Sequence, residues 1–352
     1  MNEQQRLIVD TTRRIMGDMC SRKLVDDAEA GVWPGELWQT LQNSGLTLAG
    51  VSEHVRGSGG DVADAMLVIR HGAEFAAPLP LAETFIAALL MEAVNQPVPA
   101  GPLSLVYDTR QLALSRSGQD FLLTGQGRAT GWVEESKYIV MVHSLADGAK
   151  LCLLDPRHCN LVREVNIAGD PYYELRCDGL ALAAASVYDL PPRWSSHRVL
   201  QAGALSRSVM MSGALNSLLA MCVQYARDRQ QFGRPIAGFQ AIQHQLAVLA
   251  GQVAAAGKAA DLAVAAWDLP NEFPGIAVAK SRVGEAAGIS TEIAHQVHGA
   301  MGFTQEHPLH HRTRRLWAWR DECGNEAVWR QQLGRQLCVA GADALWSGII
   351  AV

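Results

Sequence analysis

Apolar residues between Glu3 and about Val94 recur at intervals of three and four, which is the spacing of a buried helical face. The segment DVADAMLVIRHGAEFA at 61–76 is typical, and Asp61 is placed to cap its first turn. After NQPVPAGP at 95–102 the spacing changes to short β-type runs such as KYIVMVHS and KLCLLD, which turn residues separate. The helical pattern returns at about Ser195 and continues to Val352.

This pattern predicts an α+β fold that is mainly α. We expect an N-terminal helical domain over 1–95, a middle antiparallel β domain over 96–194, and a C-terminal four-helix bundle domain over 195–352. The long C-terminal helices are predicted at 198–231, 237–268, 273–300 and 322–350. They are apolar around so much of their circumference that they must pack against one another or against another subunit.

Composition narrows the classes of function. The 352 residues are 49% hydrophobic and 18% charged, and the net charge of −5 disfavours a general nucleic-acid surface, although HHRTRR at 310–315 is locally basic. No uncharged apolar run approaches the roughly 20 residues that a membrane span requires, and the N-terminus lacks a signal-peptide core. The seven cysteines are scattered and form no CxxC, which indicates free thiols in a cytoplasmic protein. We therefore expect neither nucleic acid nor membrane as a partner.

The stretch YARDRQQFGRPIAGFQ at 225–240 predicts a helix that ends at Phe232, with Gly233 as its C-cap and Pro235 as a stop signal. Arg229 then has two interpretations. It offsets the negative end of the helix dipole, or its guanidinium binds a phosphate while Phe232 offers a flat surface to an aromatic ring. The residues alone leave both open.

Five histidines suggest a metal site. His295 and His298 lie one helical turn apart, and His307, His310 and His311 follow. This spacing can bind zinc, but no cysteine or carboxylate completes a set of four ligands. We expect no metal.

Two longer segments resemble motifs of the flavin-dependent acyl-CoA dehydrogenases. They are YARDRQQFGRPIAGFQAIQHQLA at 225–247 and HQVHGAMGFTQEHPLHHRTRR at 295–315; LAGVSEHVRGSGGDVADAMLVI at 48–69 is a weaker match. The resemblance covers essentially the whole chain and extends to the order of helices, strands and helices. It implies FAD as cofactor and the α,β-dehydrogenation of an acyl-CoA thioester.

The resemblance also implies roles for single residues. Arg229 is expected to contact the FAD pyrophosphate, Phe232 to pack along the cofactor, and Gln240 to reach its adenylate half. Gln296 to Gly299 would close over the same cofactor from a neighbouring subunit. Small residues at Gly299 and Ala300 allow a backbone to approach a phosphate, although Ala300 replaces a family glycine and removes one methyl group's clearance.

The catalytic base of the family has no clear counterpart. The family removes an α-proton with a glutamate found at one of two positions, and these positions hold Cys323 and Gly203 here. Glu322 could serve only if its turn is shifted. LSLVYDTRQLALSRSGQD at 103–120 replaces one segment that lines the flavin ring, and Trp132 marks at best an offset counterpart of the other.

These features suggest the short companion subunit of a heteromeric acyl-CoA dehydrogenase, active in the degradation of fatty acids or steroid side chains. We expect an oligomer, a dimer of dimers, in which another subunit supplies the base. Two alternatives stay open: an active homomeric dehydrogenase that uses Glu322, and a flavin monooxygenase of the same fold.

Overall fold

A computed structural model of the chain describes residues 1–269 and 273–350, so the last two residues of the predicted helical region, 351–352, lie outside it. The chain divides into two compact units. The first consists of Met1–Ile69 and Pro78–Gly203, and the second of Arg70–Ala77 and the residues from Ala204 onward. The division into domains at residues 95 and 194 stays a prediction.

The N-terminal helices are α1 (Glu3–Met19), α2 (Arg22–Glu29), α3 (Gly35–Asn43), α4 (Val62–Glu74) and α5 (Leu81–Ala93). Three of these five helices begin at polar side-chain caps, and α3 and α5 begin after prolines. The Asn2 side chain accepts a hydrogen bond from the Gln5 N–H at 2.8 Å, and Asp61 accepts one from the Asp64 N–H at 3.1 Å, as the sequence predicts. Ten of the thirteen residues of α5 are buried, because it is apolar on nearly every side.

The middle of the chain forms one mixed sheet. Its strands are β1 (Ser104–Val106), β2 (Leu112–Ser117), β3 (Asp120–Thr130), β4 (Ile139–Leu145), β5 (Gly148–Leu154), β6 (Asn160–Val165), β7 (Pro171–Leu182) and β8 (Val187–Asp189). Their order is β6-β7-β3-β1-β4-β5-β8, and β2 pairs with β3. The predicted α+β, mainly α fold class is confirmed.

The sheet departs from the predicted antiparallel pattern in one pair. Strands β1 and β4 are parallel, with Ser104 opposite Ile139. A parallel pair needs a crossover connection, and the β2–β3 hairpin supplies it here. The core lies on the face that carries residues such as Leu123, Met141 and Leu175, all of which are buried.

The C-terminal part is helical apart from a two-stranded hairpin. Its elements are α6 (Ser196–Asp228), β9 (Gln230–Gln231), β10 (Arg234–Pro235), α7 (Gln240–Ala266), α8 (Phe273–His298), α9 (Leu309–Asp321), α10 (Glu326–Ala340) and α11 (Ala342–Ile350). Helix α8 packs against α7, α9 and α10. The predicted fourth helix over 322–350 is wrong in detail, because Gly341, at φ 84°, separates α10 from α11.

Helices α6 and α7 are long and apolar enough to cross a membrane by length and composition alone. Half of the most apolar stretch of α6 and a third of that of α7 are buried inside the protein. Core helices of globular proteins share these properties, so length and composition alone do not make α6 and α7 membrane spans.

Candidate functional site: an open helix corner and a closed helix junction

The connection between α6 and α7, here called the α6–α7 corner (residues 229–240), is a β-hairpin and not a simple helix cap. Helix α6 ends at Asp228, four residues before the predicted end at Phe232. Strands β9 and β10 pair, and Phe232 and Gly233 form the turn between them with φ of 52° and 77°. Two left-handed residues in succession are what a tight hairpin of this twist requires. Gly233 therefore serves the hairpin and not the helix end.

The predicted cofactor residues of this corner are open to solvent. Arg229 and Gln240 are exposed, and the ring of Phe232 is 92% exposed. The Arg234 guanidinium lies 4.2 Å from the centre of the Phe239 ring, and Phe232 approaches the same ring edge-on at 6.0 Å. In the described part of the chain Arg229 makes no ion pair, so its guanidinium is available to an anion.

The second predicted group lies where α8 ends. Gln296 is in its last turn, and a short 3-10 segment, Gly299–Phe303, follows; we call this segment the α8 turn. Gln296, Gly299 and Ala300 are all exposed. Gly299 has a φ of 56°, and no atom would lie within 4 Å of a side chain built there. The backbone at Gly299 is thus open to a bulky ligand.

The two groups are neighbours within a single chain. The Tyr225 hydroxyl donates to the His298 carbonyl at 3.2 Å, and the two rings stack with their centres 4.3 Å apart. Arg229 follows Tyr225 by one turn, since its N–H donates to the Tyr225 carbonyl, and Gly299 follows His298 directly. Their role in cofactor binding, and the expectation that different chains supply them to one FAD, stay predictions.

Glu322, the base of the alternative homomeric enzyme, forms an ion pair. Arg207 donates from Nε to Glu322 Oε2 at 2.6 Å, with the arginine side chain 5% exposed and the glutamate 27% exposed. The carboxylate that would have to accept the substrate proton is thus already paired with a buried guanidinium. Gly203, the alternative position, is buried inside α6 and offers no proton acceptor.

The other family position is built into a closed junction between α9 and α10 (residues 321–325), here called the α9–α10 junction. Cys323 has a φ of 56°, and its carbonyl accepts a hydrogen bond from the buried indole of Trp329 at 3.0 Å. Beneath it Lys280, which is 1% exposed, donates to the carbonyls of Trp319 and Arg320 at 2.8 and 2.7 Å. Burial lowers the pKa of Lys280 to about 8.

The segments that correspond to the flavin-ring lining have structural roles in this chain. Trp132 is buried and donates to the Pro78 carbonyl at 2.9 Å, with Trp33 edge-on at 5.2 Å. Between β1 and β2, the Arg110 guanidinium binds both carboxylate oxygens of Asp108 and holds the pKa of that carboxyl below its usual range. The indole is therefore enclosed, whereas the Asp108–Arg110 pair lies at the surface.

The basic and histidine-rich segments are only partly exposed. Within the basic run at 310–315, His311 and Arg315 are buried, so the run is not a continuous exposed patch. His298 and His307 lie with ring centres 4.7 Å apart, but His298 Nδ1 is engaged by the Ala294 carbonyl at 2.8 Å. The contacts of Arg207 and Lys280 could not be predicted from local sequence, because their partners are 115 and about 40 residues away.

Two family models match the sequence. The acyl-CoA dehydrogenase N-terminal domain matches residues 2–96 and the acyl-CoA dehydrogenase C-terminal domain matches residues 195–338, together well over half of the chain. The chain belongs to the acyl-CoA dehydrogenase family. It is an acyl-CoA dehydrogenase-type oxidoreductase that acts on CH–CH bonds, in a family of flavoproteins.

Similar proteins and solved structures are consistent with this family. Acyl-CoA dehydrogenase IpdE2 of Mycolicibacterium smegmatis is 25% identical over 88% of this chain and 91% of its own length. The ChsE4-ChsE5 complex from Mycobacterium tuberculosis contains a chain with a TM-score of 0.88 at 19% identity, covering 96% of this chain and 98% of that one. Butyryl-CoA dehydrogenase from Megasphaera elsdenii gives 0.86 at 18% identity, over 96% and 99% of the two chains. At these identities the structural likeness establishes the fold.

Proposed function

We propose that this acyl-CoA dehydrogenase is a companion subunit, which binds FAD together with a second subunit and relies on that subunit for the catalytic base. One contrast carries the proposal. The residues expected to contact FAD are open, whereas Glu322, the carboxylate next to the usual base position, is bound by Arg207. A chain that has cofactor-binding residues but no free base is suited to contribute those residues to an active site whose base comes from a second subunit.

The open residues suit a dinucleotide that carries a pyrophosphate. The exposed guanidinium of Arg229 offers two parallel N–H donors to phosphate oxygens. Phe232 presents a free ring face, and the amides of Gln240 and Gln296 can donate or accept. Gly299 and Ala300 leave room for a phosphate against the backbone. When bound, FAD supplies the acceptor for a hydride.

The reaction also needs a base that this chain does not offer. Removing a proton next to a thioester requires a carboxylate in an apolar site, whose pKa burial raises. Cys323 and Gly203 hold no carboxylate, and Glu322 would have to leave a buried guanidinium. We therefore assign proton abstraction to the partner subunit and the bulk of the acyl-CoA pocket to the assembled oligomer.

The proposed assembly is a hetero-oligomer, a dimer of dimers with another acyl-CoA dehydrogenase subunit. The similarity to a chain of the ChsE4-ChsE5 complex supports this arrangement. We also propose a cytoplasmic location, which the seven free cysteines support. The substrate class proposed is an acyl-CoA from fatty-acid or steroid side-chain degradation.

Expression alone and with the neighbouring reading frame tests the proposal. The isolated chain should be colourless or low in flavin. The co-purified complex should be yellow, bleach on addition of acyl-CoA, and contain about one flavin for two chains. One flavin per chain and bleaching of the chain alone would instead support the homomeric enzyme with Glu322 as base. Oxygenation of an aromatic substrate with added reduced flavin would support the monooxygenase.

A further inference from the structure

His298 lies at the centre of the contact between the ends of α6 and α8. Its side chain is 2% exposed and stacks on Tyr225, and its own carbonyl accepts the Tyr225 hydroxyl. The ring of His307, in the segment before α9, lies 4.7 Å away. The imidazole is thus enclosed between elements that are distant in sequence.

The α8 turn packs against the side chain of His298. A side chain added at Gly302 would come within 3.0 Å of His298 Cβ, 3.1 Å of Leu309 Cδ2 and 3.4 Å of His295 Nδ1. His295 is itself stacked between Phe303 and Trp317, with ring centres at 4.6 and 5.8 Å. Because Gly302 has no side chain, the turn can pack closely against the two histidines.

The hydrogen bonds of His298 define its protonation state. The Ala294 carbonyl can only accept, so Nδ1 must carry the hydrogen that bridges the 2.8 Å to it. The Nε2 atom is buried without a hydrogen-bond partner. A second proton would have to bind at Nε2, where no acceptor compensates the buried charge.

We propose that His298 is a positioning residue that holds the α8 turn against the end of α6 only while its imidazole is neutral, so that acidification releases the turn. The release is a property of this chain. Its consequence for FAD rests on the proposed function, because Gln296, Gly299 and Ala300 are on or beside the released segment.

The neighbouring histidines also disfavour a second proton on the His298 ring. The ionisable groups that face it are Tyr225 from α6, His307 from the segment before α9, and His295 on α8 itself. Burial lowers the pKa of His298 most, the hydrogen bond to the Ala294 carbonyl opposes this shift, and the two histidines lower the pKa further. A lowered folded-state pKa means that the unfolded or released form binds the proton more readily. The stabilisation of the α8 turn by His298 is therefore complete above the ordinary histidine pKa. It is lost as the pH falls through the lower pKa that His298 has in the folded chain.

Hydrogen–deuterium exchange of the full chain tests the release without any cofactor. After correction for intrinsic exchange rates, peptides covering 296–308 should exchange at least about tenfold faster at pH 5.5 than at pH 7.5, while β-sheet peptides stay protected. His298→Phe keeps a ring to stack on Tyr225 and removes the titration, so its turn should exchange at one rate at both pH values. His143→Phe is the matched control, because burial lowers the pKa of this histidine too and it lies on β4.

Each remaining outcome counts against the proposal. Equal protection of the turn at both pH values in the wild type, or the same acid release in His298→Phe as in the wild type, would overturn it. So would exchange that rises in all peptides together, since that is global unfolding. If His298→Phe does not fold, the NMR titration of the His298 ring in the wild type decides: it must occur below the ordinary pKa and coincide with the release. A pH-independent turn in a complex that still binds FAD would overturn this inference and leave the proposed function intact.

Discussion

The α6–α7 corner and the α9–α10 junction both correspond to motif positions of the family. The side chains of the corner are exposed to solvent, whereas the polar groups of the junction are bonded to other residues of the chain. At the corner, Arg229 and Phe232 extend into solvent. At the junction, Glu322 is bound by Arg207 and the Cys323 carbonyl by Trp329. Groups that are satisfied inside the chain stabilise its fold, whereas groups left open are available to a ligand. On the proposed function, the contrast separates a surface that binds the cofactor from a position that no longer supplies the base.

Removing the carboxylate at the junction should have the largest effect on stability. Glu322→Ala leaves the Arg207 guanidinium buried without its partner, and we expect a loss of about 2–3 kcal/mol in the free energy of unfolding. Urea denaturation measures it. Asp321→Ala, at the exposed neighbouring position, is the control and should change stability by less than about 0.5 kcal/mol.

The same variant distinguishes a structural from a catalytic glutamate. In the assembled complex, Glu322→Gln should retain acyl-CoA-dependent bleaching of the flavin, because the partner supplies the base. A variant of unchanged stability that has lost bleaching would make Glu322 the base and remove the contrast between the two regions.

Removing the guanidinium at the corner should leave stability unchanged and weaken cofactor binding. In the complex with the partner subunit, we expect Arg229→Ala to raise the Kd for FAD by about tenfold to a hundredfold, through loss of a charged hydrogen-bonding pair. Flavin fluorescence titration measures the Kd. Arg227→Ala, an exposed arginine in the last turn of α6, should bind FAD like the wild type. Equal weakening in both variants would indicate a general charge effect and not a site.

The buried ammonium beneath the junction should make stability depend on pH. The pKa of Lys280 is about 8 in the folded chain and near 10.4 in an unfolded one, so the unfolded state binds more protons between these values. Stability relative to Lys280→Met should therefore rise by about 1 kcal/mol per pH unit from pH 8 to pH 10. Parallel urea denaturation of both proteins measures the difference and cancels the cysteines and tyrosines that titrate in the same range. If the difference in the free energy of unfolding did not change between pH 8 and pH 10, Lys280 would be solvated in the folded chain.

The sequence predicts the open region better than the closed one. Arg229, Phe232 and Gln240 belong to one short motif, so their exposure near a helix end follows from local pattern, even though the hairpin at Phe232 and Gly233 does not. Arg207 and Glu322 are 115 positions apart, and no local periodicity relates them. The sheet is likewise only partly predictable from local sequence. The alternation of apolar and polar residues indicates the strands, but the parallel pairing of β1 with β4 depends on contacts between distant parts of the chain.

The smallest predicted effect concerns Ala300, which occupies a glycine position of the family motif. Its side chain is exposed on the α8 turn, where a phosphate would have to approach the backbone. Ala300→Gly removes one methyl group and should tighten FAD binding in the complex by about twofold to fivefold, a gain of less than about 1 kcal/mol. Glycine also has greater freedom in the unfolded chain, so the melting temperature of the cofactor-free protein should fall slightly. Ala254→Gly, exposed in the middle of α7, should lower the melting temperature similarly without changing the Kd. If Ala300→Gly leaves the Kd unchanged while Arg229→Ala raises it, the cofactor is held by the α6–α7 corner alone and the α8 turn lies outside the site.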